Sequence, residues 1–166
     1  WEWAYVACLY NVIQEFAGFY MPVDNGAIIK LMINTLTRSG AWLISMKAKK
    51  AMQRLQNARY IVGLVADQNP SEIQHAAWLR FMNREAAFFN GPEKLARRAH
   101  AAVVFAGIKK VKRGYYKVEL RLIANDASKT EQDDILQQYV AFMEEQILEQ
   151  PANWLWTHRR WKYKRA

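Results

Sequence analysis

Tyr60–Pro70 reads YIVGLVADQNP, and Ile61 to Ala66 run apolar without alternation before Asp67-Gln68-Asn69-Pro70. A short continuous apolar run closed by a turn signal reads as a strand buried on both faces, hence a central strand of a helix-covered sheet. Polar groups just past the carboxyl end of such a strand stand where open α/β sheets bind their ligands. Asp67 and Gln68 are therefore the first site candidates. Asp67 equally suits the start of a turn or the cap of a following helix.

Working outward, Phe16–Tyr20 and Trp42–Ser45 read as short strands. Ile28, Ile29, Met32, Ile33 and Leu36 recur at helical spacing and predict a helix over Ala27–Thr37, closed near Gly40. Trp3–Leu9 reads as a short apolar helix, and Ala48–Asn57 as a basic amphipathic one. After Asp67, Ile73, Ala77, Trp78 and Phe81 predict a helix from Pro70 to Asn83. Pro92 just inside the first turn predicts another beginning at Asn90-Gly91. Ala101–Ile108 reads as a strand and Lys109–Gly114 as a basic turn. Tyr116/Val118/Leu120/Leu122 then alternate with Lys117/Glu119/Arg121, as in a half-solvated edge strand antiparallel to the one before it. Thr130-Glu131-Gln132-Asp133 resembles a capping box, opening a helix that ends before Pro151. The expected fold is α/β, a mostly parallel central sheet flanked by helices with an antiparallel edge hairpin.

The totals bound the function. A chain of 166 residues, 52% hydrophobic and 13% aromatic, is long enough for one domain with a real core. A formal charge of +9 points to an anionic partner: nucleic acid, anionic lipid or an acidic protein. The single cysteine, Cys8, excludes an internal disulfide framework and a cysteine-rich zinc site. No apolar run approaches the roughly 18 residues of a membrane span. The first residue is Trp, in mid-pattern, which suggests a chain truncated at its N-terminus.

Chemistry-bearing residues are few. None of His75, His100 and His158 has a carboxylate four or five residues onward, and His75 and His100 read as structural. No cluster has metal-ligand spacing, and there is no glycine-rich phosphate loop and no G-x-S-x-G. The tail Trp154–Arg165, WLWTHRRWKYKR, interleaves cations with Trp161 and Tyr163. That composition fits an anionic membrane surface and nucleic acid equally well, and also a solvated tail with one or two Trp tucked into the core.

Five motifs in order carry a resemblance: Trp1-Glu2-Trp3-Ala4, Ala66-Asp67-Gln68-Asn69-Pro70, Phe88-Phe89-Asn90-Gly91-Pro92-Glu93-Lys94-Leu95-Ala96, Lys112-Arg113-Gly114-Tyr115-Tyr116 and Trp154–Lys162. Together they resemble the lipid A late acyltransferases (lauroyl/myristoyl transferases) of the lysophospholipid acyltransferase superfamily, in a form like that of Bacteroidota. The resemblance spans essentially the whole chain. It implies a glycerolipid acyltransferase-like fold and an inner-membrane enzyme of a Gram-negative bacterium, facing the cytoplasm. Such an enzyme moves a fatty acyl chain from acyl carrier protein, or from coenzyme A, to a hydroxyl of a lipid A precursor or related lipid. It needs no metal or cofactor beyond the acyl thioester as co-substrate. Its reaction centre pairs a histidine with an acid, commonly as H-x-x-N-W-E; Glu2 matches the acid, and the histidine would stand ahead of Trp1.

The same resemblance implies substrate-binding positions at Arg38, Asp67, Gln68, Glu93, Arg159 and Arg160. Arg38 would meet lipid phosphate, and Arg159 and Arg160 match a terminal H-R-R-[FW]-K signature. Met21-Pro22 departs from the usual basic residue before proline, and Ala86-Ala87 stands where Thr is common. The implied partners are acyl carrier protein and an anionic lipid or membrane surface, not nucleic acid. Two further readings come from the residues themselves: a basic nucleic-acid-binding module, drawing on the tail and the Lys109–Lys117 cluster, and an inactive truncated chain that keeps the fold but lacks its base.

Overall fold

Three parallel strands and two antiparallel hairpins make up the β structure of the described residues, which in this computed structural model are 7–8, 10–20, 25–38, 40, 42–45, 59–70 and 72–165. The chain divides into two compact units, Trp1–Val65 and Ala66–Ala166.

In the first unit, β1 (Glu15–Tyr20), helix α1 (Gly26–Thr37), β2 (Trp42–Ser45) and β3 (Tyr60–Gly63) follow one another. The sheet order is β2-β1-β3, all parallel, with Ala17 opposite Trp42 on one side and Val62 on the other. β1 is thus the central strand among the described residues, and it is the one buried on both faces. Phe16 packs with Leu36 of α1 and with Leu43 and Ile61 on one face; Ala17 packs with Ile44, Trp42 and Val62 on the other. This corrects the expectation for Ile61–Ala66. The strand stops at Gly63, its residues are half-buried, and Leu64 and Val65 are exposed. Among the described residues β3 pairs on one side only, with β1, and an apolar run is not enough to make a strand central. Asn25 caps α1 by accepting from the Ala27 and Ile28 amides at 3.1 and 3.2 Å, and Gly40 takes a φ of +85° just beyond its end. The helix expected over Ala48–Asn57 lies outside the described residues, as does most of Trp3–Leu9.

The second unit is built from two hairpins and two helices: β4 (Ala77–Phe81) with β5 (Arg84–Phe88), α2 (Gly91–Arg98), β6 (Val103–Lys112) with β7 (Tyr115–Ala124), and α3 (Asp134–Glu149). The first hairpin overturns the helix expected from Pro70 to Asn83. Phe81 pairs with Arg84 across a two-residue turn in which Met82 and Asn83 both have positive φ, 49° and 63°. That is the backbone twist a tight hairpin needs, and Asn tolerates it. The apolar set Leu79, Phe81, Ala86 and Phe88 then falls on one face at a period of two, against Val140, Met143 and Ile147 of α3. Ile73, Ala77, Trp78 and Phe81 only mimic helical spacing.

The second hairpin forms as expected, but its faces are reversed. Phe105 meets Tyr139 and Phe142 of α3, and Arg121 on the same face pairs with Glu119 and Glu145, while Leu120 and Leu122 are exposed. Charged partners on the helix draw the polar face of β7 inward. Lys109 belongs to this network, 3.1 Å from Glu119 and 2.5 Å from Glu149. The basic turn expected over Lys109–Gly114 is shorter: strand β6 continues to Lys112, and only Arg113 and Gly114, with φ +80°, make the turn.

The start of α3 is held from outside. Asp133 sits at φ +68° with no side-chain cap of its own, and Glu131 offers its amide to the Asp134 carboxylate at 3.1 Å. Glu93 of α2, 3% exposed, accepts from the Asp133 amide at 2.7 Å and the Leu136 amide at 3.1 Å. A carboxylate at a helix N-terminus satisfies orphan amides and meets the favourable end of the dipole. Glu93→Ala leaves both amides unpaired and lowers stability by about 1–3 kcal/mol in urea unfolding, whereas Glu93→Gln keeps an acceptor and loses less. An unchanged midpoint for the Ala variant would rule out this cap.

Candidate functional site

Arg160 is 3% exposed, although its neighbours in sequence, Arg159 and Lys162, are exposed. The reason lies in the 3₁₀ turn Trp156–His158 and the left-handed Arg159, φ +52°, which reverse the chain and send the next side chain inward. Trp161 then stacks on Phe81 with ring centres 5.6 Å apart, and Trp154 packs on the same ring at 6.1 Å. Trp154 and Trp161 thus pack half-buried against the core, while Leu155 and Trp156 are exposed, which matches the reading of a solvated tail with one or two Trp tucked inside. Lys162, Lys164 and Arg165 stay exposed.

Inside, the Arg160 guanidinium lies 3.9 Å over the Phe88 ring, a cation–π contact. Its Nη1 donates to the Gln68 carbonyl and to Asn69 Oδ1, both at 3.0 Å. Asn69 in turn donates from Nδ2 to the Arg159 carbonyl at 3.0 Å. The residues after β3 are thereby clamped to the tail. Arg160 Nε and Nη2, and Asp67 Oδ1, are buried without a hydrogen-bond partner. Burial pulls the guanidinium pKa down to about 10, opposed by Tyr139 and Asp67. Burial also pushes the Tyr139 phenol up, and Asp67 adds to that push while Arg160 opposes it. The cluster thus leaves an Asp67 oxygen and two Arg160 nitrogens unpaired inside the packed interior, beside a phenol and an aromatic ring.

Of the residues singled out in the sequence, the structure brings Asp67, Gln68 and Arg160 together. Gln68 contributes its backbone carbonyl, and its side chain is exposed. Arg159 adjoins them through its carbonyl. Glu93 stands apart, with both oxygens engaged by the start of α3, and it borders a hollow of about 280 Å³ lined also by Asn90, Lys94, Arg97 and Gln132. Arg38 belongs to the first unit, exposed at the C-cap of α1. Glu2 and Met21-Pro22 lie outside the described residues. His75 and His100, expected to be structural, are exposed, His75 on a 3₁₀ turn and His100 with its Nδ1 3.9 Å from Asp126. Asn69, Phe88 and Tyr139 were missed as site residues. Asn69 stood in the Asp67–Pro70 motif, while Tyr139 was indistinguishable from the core stripe of its helix. Among the described residues no His/Cys/Asp/Glu group could hold a metal ion, and no helix is long and apolar enough to cross a membrane.

Replacing Arg160 by Met strips the donor from two acceptors and the cation from beside Asp67. The variant loses about 3 kcal/mol or more in urea unfolding. Asp67→Asn in the Arg160→Met background recovers part of the loss, a coupling of about 0.5–3 kcal/mol. Strict additivity of the two substitutions would show that Asp67 and Arg160 do not act on each other.

The fold and this cluster now have a family beside them. The family model described as bacterial lipid A biosynthesis acyltransferase matches residues 1–163. No curated protein sequence matches the chain. The α/β architecture, a parallel sheet with helices and antiparallel hairpins, agrees with an acyltransferase of this kind. The match takes in the Asp67–Pro70 loop, Glu93, and Arg159 with Arg160. The chain belongs to the bacterial lipid A biosynthesis acyltransferase family, whose members are acyltransferase enzymes.

Proposed function

We propose that the protein, as a single acyltransferase domain over residues 1–166, transfers a fatty acyl chain from acyl carrier protein to a hydroxyl of a lipid A precursor at the cytoplasmic face of the inner membrane. The family match over residues 1–163 carries this reading. In the reaction a base takes the proton of the acceptor hydroxyl as its oxygen attacks the thioester carbonyl. The tetrahedral intermediate collapses, the C–S bond breaks, the thiolate leaves and takes up a proton, and an ester remains. Glu2 is the acid of the catalytic pair. Its carboxylate would orient a histidine five positions ahead of it and stabilise the imidazolium formed during attack. No metal or prosthetic group enters this scheme.

The remaining roles follow from charge and placement. Arg38 and Arg159 present exposed guanidinium groups suited to lipid phosphate. Asp67 and Gln68 sit on the loop that Arg160 holds by two hydrogen bonds of 3.0 Å, so Arg160 acts as a positioning residue for them. Glu93 acts through the start of α3. A net charge of +9 agrees with an acidic carrier protein and with a phosphorylated lipid.

The test is acyl transfer from acyl carrier protein thioester, and separately from coenzyme A thioester, to a lipid A precursor, with the natural full-length protein. Glu2→Gln lowers kcat by about 10²–10⁴-fold with the carrier-protein donor. Undiminished transfer would remove Glu2 from the mechanism, and faster transfer from coenzyme A would reverse the donor assignment.

A further inference from the structure

The tip of the β6–β7 hairpin carries a feature that the transfer chemistry does not use. Residues 110–117 read KVKRGYYK, four cations in eight residues with no acid among them. Just behind them the charges are neutralised within the protein: Lys109 lies between Glu119 and Glu149, and Arg121 pairs with Glu119 and Glu145. Lys110, Lys112, Arg113 and Lys117 are exposed and, among the described residues, have no ion pair. The apolar members of the segment are exposed with them: Val111 68%, Tyr115 61% and Tyr116 46%. Lys112 Nζ stands 4.2 Å over the Tyr115 ring.

The tip is also held firmly. Gln150, just past α3, accepts from the Lys110 amide at 3.1 Å and donates to the Lys110 carbonyl at 3.2 Å, as a neighbouring strand would. Val111 is the extra residue where the ladder shifts register between Lys110 and Lys112, and bulges of this kind re-aim side chains at a strand end. Beyond the Gln150 clamp the hairpin ends in Arg113-Gly114, flanked by cations on both strands and by the Tyr115 and Tyr116 rings on β7.

From this arrangement we infer that the β6–β7 tip is a membrane-docking finger, inserting Val111, Tyr115 and Tyr116 into the interface of a bilayer rich in anionic lipid while Lys110, Lys112, Arg113 and Lys117 engage the headgroups. Tyr rings favour the boundary between headgroup and acyl chain, and each Lys or Arg near an anionic surface adds attraction. The geometry favours a lipid surface over nucleic acid. Tyr115 and Tyr116 are consecutive on one strand and point to opposite faces, so they make no single platform on which successive bases could stack. End-on entry into a bilayer buries both.

The inference rests on the reading of the protein as an enzyme of membrane lipid. Its test is sedimentation of the full chain with phosphatidylcholine vesicles, with and without phosphatidylglycerol. The parent partitions to the anionic vesicles and little to the neutral ones. K110Q/K112Q/R113Q/K117Q reduces that partition at least about tenfold. Tyr115→Ser with Tyr116→Ser keeps the charge but leaves a weaker binding that added salt abolishes. Transfer to a detergent-dispersed acceptor is unchanged in the charge variant, while transfer to an acceptor in anionic vesicles falls. Unchanged partition of the charge variant, equal partition of the parent to neutral vesicles, or salt-steep binding to single-stranded DNA without vesicle binding would each overturn the inference. Vesicle binding without any acyl transfer would count against the proposed reaction and leave the docking finger standing.

Discussion

A guanidinium held among phenylalanine rings is the constraint on which the second unit turns. Burying a cation in an apolar setting is costly unless hydrogen bonds and opposite charge offset the loss of water. Arg160 meets that demand from three directions. Phe88 gives it a ring face at 3.9 Å, Nη1 has two acceptors at 3.0 Å, and Asp67 and Tyr139 act on it electrostatically. None of these partners can move far without stranding the charge. The Asp67–Pro70 loop, β5 and the C-terminal tail are therefore fixed by the same group. The two nitrogens left unpaired, Nε and Nη2, mark where that satisfaction is incomplete. Unpaired donors on Arg160 and an unpaired Asp67 oxygen are residual polarity of a kind that packed cores rarely keep.

Glu93 solves the same problem with the opposite sign. Its carboxylate is buried against the N-terminus of α3, where two backbone amides and the helix dipole stand in for a cation. The far end of that helix is electrostatically awkward, since Glu145 and Glu149 sit in the half where negative charge is disfavoured. Lys109 and Arg121 of the β6–β7 hairpin offset them. Helix α3 is thus anchored at one end by an acid from α2 and along the other by bases from β6 and β7. That pairing also decides which face of the hairpin turns inward. Leu120 and Leu122 are left outside because the four charged groups, with Phe105 between Tyr139 and Phe142, hold the other face to the helix.

These tertiary choices explain what the sequence did and did not make legible. Local chemistry carried β1, α1, β2, α2 and both strands of the second hairpin, because apolar periodicity, Asn25, Pro92 and Gly114 each act within a few residues. The β4–β5 hairpin was hidden because its turn is Met82-Asn83, without the glycine that usually announces positive φ, and because Ala77 and Phe81, four residues apart, can be counted at either period. β3 resembled a central strand since an apolar run signals burial, not the number of neighbours. Asp67 and Arg160 could each be named from the chain, but not their meeting. The contact from Arg160 to Gln68 spans 92 positions, and a cation inside a basic tail reads locally as solvated.

The same distinction changes what a net charge of +9 means. A sum over residues treats every cation as available to a partner. In the folded chain Arg160 is inside the core, Lys109 and Arg121 are neutralised by acids, and Arg97 lies 3.9 Å from Glu93. Among the described residues of the second unit, exposed cations gather at the β6–β7 tip, on α2 with Lys94 and Arg98, and in the last residues of the tail. Screening limits each exposed charge to about a Debye length, roughly 8–10 Å, so a partner responds to a patch and not to the total. The aromatic-cationic tail, which by composition was the strongest argument for nucleic acid, loses Arg160, Trp154 and Trp161 to the core. The basic surface left to the solvent is then divided into local patches, which the total charge does not reveal.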